Sequence, residues 1–106
     1  MIMGIFVVEA VREDRGLVQL HGTIIKGVLK PGMEAVLDSH VITLHRVYDQ
    51  GETELEEATR GWQVHLEIDT EAAWEWIQSL SGQQITFTED KKQTNSLAWD
   101  AETISS

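Results

Sequence analysis

Histidines 21, 40, 45 and 65 are the side chains of this chain best suited to proton transfer or metal ligation. A catalytic zinc takes three protein ligands, commonly at short spacing. Neither H-x-H nor H-x-x-x-H occurs, and His40 and His45 are an odd step apart, which sends them to opposite faces of one strand. His21 and His65 both fall at outward positions of separate strands, which neighbouring pairing could bring close. The expectation is solvent-exposed histidines that titrate just below neutrality, with no metal and no cofactor. Ser39-His40 are adjacent, so their side chains diverge in a strand and no third group orients them. Glu13-Asp14 and Glu56-Glu57 imitate an acid/base couple, but charge runs of this kind ordinarily face water. There is no cysteine for thiol chemistry or a disulfide. No enzyme is expected.

Residues suited to contact a partner are more prominent. Four tryptophans are many for this length, and Trp62, Trp74 and Trp76 cluster at a late strand and a helix. Trp74 falls at the edge of that helix's apolar face, where a large ring can anchor an interface at little entropic cost. Trp99 stands in an otherwise polar stretch, which suggests docking by strand addition onto a partner or back onto its own domain. The acidic run 52–57, with Glu52, Glu54, Glu56 and Glu57, would steer a basic partner at low salt. The expected function is therefore a non-catalytic protein-binding or assembly module. The alternative is an RNA-binding accessory factor in which Arg12, Arg15, Lys26 and Lys30 form a basic strip near the first turns.

These residues have to be positioned mainly by strands. Phe6, Val8 and Ala10 alternate with Val7, Glu9 and Val11, and Val18, Leu20, Gly22 and Ile24 alternate with Gln19, His21 and Thr23. Gly27 is expected to break the second strand. Lys30-Pro31-Gly32-Met33 reads as a type II turn, with Pro31 presetting φ and Gly32 supplying φ > 0. Further strands are expected over 34–37, 41–48, 62–68 and 84–88. In the run 62–68, Trp62, Val64, Leu66 and Ile68 would face inward, and Gln63, His65 and Glu67 would face water. One short helix is expected near residues 70–81, with Thr70 as N-cap, Glu71 in the first turn, Ala73, Trp76, Ile77 and Leu80 on its apolar face, and Gly82 just past its end. Many short strands are best protected by closure, so the fold class is all-β: a small closed β-barrel with one helix.

The chain has 106 residues, with 18 acidic and 8 basic side chains and a net charge of −10. That length fits one domain, burying roughly 60–65% of the unfolded chain's surface. Barrel residues are expected over 1–88 and a polar, mobile tail over 89–106. The acidic balance opposes unaided binding to nucleic acid or anionic membrane. The apolar run 2–8 has no basic leader and is too short to span a bilayer. A cytoplasmic protein with a protein partner and no membrane association is the expectation.

The stretch VVEAVREDRGLVQLHGTIIKGVLKPGMEAV, residues 7–36, resembles the second domain of translational GTPases. That domain is the β-barrel of elongation factor Tu and of the bacterial initiator-tRNA factor. The resemblance lies in Glu9-Ala10, Arg15-Gly16, Gly22-Thr23-Ile24 and Gly27-x-Leu29-Lys30-x-Gly32. It continues more weakly through Asp49-Gln50-Gly51, Glu57-Ala58, Gly61 and Val64. It implies a barrel that contacts charged tRNA, ribosomal RNA or neighbouring domains. Of the tRNA-contacting region, Glu57, Ala58 and Gly61 match. The chain departs from the family in lacking the G-x-x-x-x-G-K-[ST] phosphate loop that nucleotide hydrolysis requires. It also departs in a shortened first loop, where Asp14 replaces a glycine.

Overall fold

Alternating side chains organise most of residues 2–89, which the computed structural model describes, into eight strands and one short helix. The strands are β1 (Ile2–Asp14), β2 (Leu17–Leu29), β3 (Glu34–Leu37), β4 (His40–Tyr48), β5 (Glu54–Leu55), β6 (Ala58–Thr59), β7 (Gln63–Thr70) and β8 (Gln84–Glu89), with helix α1 (Trp74–Gln78) before β8. Six of them pair antiparallel in the cyclic order β1-β8-β3-β4-β7-β2, and the β1–β2 pairing closes the barrel. The closure is thinnest between β3 and β8, which share the single bridge Glu34–Thr88. Inside lie Phe6, Leu20, Ile24, Ile42, Leu66 and Phe87, all fully buried.

Turn chemistry follows the sequence. Arg15 and Gly16 have φ of 56° and 82°, the two left-handed residues of a tight hairpin between β1 and β2. The Pro31-Gly32 turn is closed by Met33 N–H donating to the Lys30 carbonyl at 3.4 Å, with Gly32 at φ 97°. Gly22 answers a different need. A Cβ there would lie 1.9 Å from the Val7 carbonyl oxygen, so only glycine lets β1 and β2 approach this closely.

Several expectations are corrected. Gly27 does not end β2; with φ 73° it stays in the ladder opposite Gly4, beyond a register shift at Ile5/Phe6. A bulge between Val8 and Ala10 reverses the parity of β1. Val11 then packs against the core, while Ala10 lies across from His21 rather than following Phe6 and Val8 inward. Trp62 is 47% exposed instead of inward, because it belongs to the turn before β7, its N–H bonded to the Thr59 carbonyl. Glu67 lies at an outward position, yet it is only 6% exposed. Thr70 ends β7 and its hydroxyl accepts from the Ala72 N–H at 3.3 Å, ahead of the helix, which begins at Trp74 with exposed Ala73 as N-cap and no side-chain cap. Ile77 and Leu80 are buried as expected, whereas Trp76 is half-buried. Its Nε1–H donates to Asp38 Oδ2 at 3.2 Å and its ring tilts against His40 at 4.3 Å. The helix is thus tied to the β3–β4 hairpin, and the following Gly82 N–H donates to the Val8 carbonyl at 2.7 Å.

Candidate functional site

The β1 bulge also decides which side chains share the outer face. Across β1, β2, β7 and β4 the register aligns two rows: Ala10–His21–His65–Tyr48 and Arg12–Gln19–Glu67–Arg46. Opposed residues on one face have Cβ atoms about 5 Å apart, so two rows make one chemical surface. His21 and His65 stack with ring centroids 3.9 Å apart and planes 28° from parallel. The Nε2 of His21 is buried and has no hydrogen-bond partner among the described residues. Burial above all, then His65 and Arg12, holds His21 below the usual histidine range.

Glu67 is the buried charge of this surface. The Tyr48 hydroxyl donates to its Oε1 at 3.2 Å, and Arg46 Nη1 donates to that hydroxyl at 3.5 Å. The other oxygen, Oε2, has His45 Nε2 at 3.9 Å, outside hydrogen-bonding range. His45 sits where the β4–β7 register slips, between Leu44 and Arg46. Neither Arg12 nor Arg46 forms an ion pair with Glu67 among the described residues. The Tyr48 hydrogen bond, more than the charge of Glu67 or Glu54, holds Arg46 above its ordinary range.

A depression of about 780 Å³ runs over these rows. It is lined by four acids, Glu13, Asp14, Glu52 and Glu67, and by two arginines, Arg12 and Arg46, together with both stacked histidines and Tyr48. With the histidines neutral its lining carries a net charge of −2, four negative charges against two positive. Half-exposed Leu17 lines one part of it, and half-exposed Trp62 lines a separate, more open hollow with Thr23, Asp49 and Gln63. Among the described residues, no three His, Asp or Glu side chains converge as metal ligands. Chemically, the surface offers a stacked pair of flat rings, a largely buried carboxylate that accepts from Tyr48, and an acidic rim. A second depression, beside Ser39 and His40, includes Asp69 and Glu71, but the His40 ring is engaged by Trp76.

The residues singled out in the sequence scatter. Glu52 reaches the depression from a loop in which it adopts φ 66° and bonds N–H to the Asp49 carbonyl at 2.9 Å. Glu54 pairs with Tyr48 in the β4–β5 ladder, and Glu56 and Glu57 are exposed between β5 and β6. Trp74 is half-buried against the core, and Trp99 lies outside the described residues. Arg12 lines the depression and Arg15 forms the adjacent hairpin turn. Lys26 pairs with Ile5, seven residues along β1 from Arg12, or about 23 Å at strand spacing. Lys30 is bound to Glu89 at 3.4 Å. Arg12 therefore lies toward one end of the β1–β2 ladder and Lys26 toward the other. Tyr48, Arg46 and Glu67 were not singled out; strand parity put Glu67 outward, but nothing local reports what covers it. No helix among the described residues is long and apolar enough to cross a membrane. Against descriptions of known protein families and against curated proteins, the chain finds no match.

Proposed function

We propose that this chain is a non-catalytic protein-binding or assembly module of the cytoplasm, built on a barrel of the kind found as domain 2 of translational GTPases. The observation that carries the reading is the outer face of β1-β2-β7-β4. There Tyr48 and Arg46 line one depression and exposed Trp62 lines a second hollow, and these are residue types that dominate interface energetics. The closed antiparallel barrel supports the likeness to domain 2, as do Gly16, Gly22 and Gly32, each at a turn or close approach. RNA binding is the second reading, favoured by Arg12 beside stacked imidazoles on which a base could lie. Immobilised full-length chain should retain specific proteins from native extract, and Trp62→Ala and Tyr48→Ala should reduce that retention without loss of the folded state. Recovery of RNA that is released steeply by salt would refute the protein-binding reading in favour of the second.

A further inference from the structure

We propose that the depression between β1, β2, β7 and β4 receives an arginine side chain from a basic segment of the protein partner, with Glu67 as its counter-ion. This rests on the protein-binding reading and names the chemistry of the partner. An ionised carboxylate can accept about four hydrogen bonds. Glu67 is 6% exposed and accepts one among the described residues, from Tyr48 to Oε1, while Oε2 is not sealed from solvent and has His45 Nε2 only at 3.9 Å. The arginine closest in the ladder, Arg46, spends Nη1 on the Tyr48 hydroxyl instead. A cation arriving from outside would meet an open oxygen.

Two further observations select the cation. The acids Glu13, Asp14 and Glu52 line the same depression and, with Glu67, outnumber its arginines, Arg12 and Arg46, so its surplus charge attracts a basic segment rather than an acidic one. Beside Glu67 lies the flat stack of His21 and His65, one residue pair along the β2–β7 ladder from the Gln19–Glu67 row after the intervening inward pair. A guanidinium is planar, stacks on aromatic faces and binds a carboxylate through two parallel N–H groups, whereas an ammonium does neither.

The test is a titration of isotope-labelled full-length chain with tri-arginine amide at physiological ionic strength, followed by amide chemical shifts. Tri-lysine amide and oligouridylate are titrated in parallel. Saturable shifts are expected at His21, Tyr48, His65 and Glu67. Glu67→Gln should weaken tri-arginine binding by about tenfold, the scale of a charge-assisted pair. Glu75→Gln, which removes the same charge from an exposed position on α1, should leave it within about twofold. If Glu67→Gln does not fold, His65→Ala, which removes one face of the stack, should weaken binding of tri-arginine but not of tri-lysine. Equal weakening by both glutamate variants, shifts spread over the acidic surface, equal binding of tri-lysine, or tighter binding of oligouridylate at the same residues would each overturn the proposal. A partner captured equally well by wild type and Glu67→Gln would overturn it too, while leaving the protein-binding reading intact. Tri-arginine bound at Glu67 with no protein partner retained from extract would do the reverse.

Discussion

Replacing Tyr48 by phenylalanine removes one oxygen and, with it, the single hydrogen bond that the Glu67 carboxylate accepts among the described residues. Hydrogen bonds to charged groups contribute about 1.5–3 kcal/mol net. At 3.2 Å this one is longer than the usual O–H···O separation of about 2.7–2.8 Å, which places it near the lower bound. The loss expected for Tyr48→Phe is therefore about 1.5–2 kcal/mol, or roughly 5–10 °C in melting temperature for a domain of this size. Glu67→Gln keeps the acceptor and removes a buried charge, so alone it should shift stability by no more than about 0.5 kcal/mol in either direction. In that background Tyr48→Phe should cost about 0.5–1 kcal/mol, a neutral hydrogen bond. The cycle of two single variants and the double, measured by urea unfolding at neutral pH, thus predicts a coupling of about 1 kcal/mol. A coupling below about 0.3 kcal/mol would mean that Glu67 is satisfied without Tyr48, and the account of Tyr48 as its hydrogen-bond donor would be wrong.

Two other perturbations test the architecture that presents this surface. Gly22→Ala sets a Cβ 1.9 Å from a backbone oxygen, which cannot rotate away, so a loss at the top of the overpacking range, about 3 kcal/mol, is expected in thermal or urea unfolding; a loss under about 1 kcal/mol would show that β1 and β2 are not so closely apposed. His21 is held below the ordinary histidine value of 6.5, so as pH falls through that value the unfolded chain takes up a proton before the folded chain does. Stability should therefore decline from about pH 7 downward until the folded-state pKa is passed, and His21→Gln should flatten that decline in urea midpoints taken across the range. An unchanged slope in the variant would assign the dependence to other groups.

The sequence by itself determined the barrel and most of its strands, because each strand is specified by residues close together along the chain. Val18, Leu20, Gly22 and Ile24 face inward as their spacing requires, and the turns at Arg15-Gly16 and Pro31-Gly32 form where residues able to take the needed φ occur. The outward placement of His21 and of His65 was legible in the same way. Alternation does not record a bulge, however, so the inward turn of Val11 after Glu9, which leaves Arg12 in the row of Glu67, appeared only with the β1–β2 pairing. Nor does strand parity fix depth: Glu67 and Trp62 exchanged their expected environments, the carboxylate covered and the indole half-exposed. The tertiary structure alone decided that His21 stacks on His65 and that Tyr48, from a third strand, reaches Glu67. Those contacts join residues from 19 to 44 positions apart, and only the register of three paired strands, set by closure of the whole barrel, brings them onto one face.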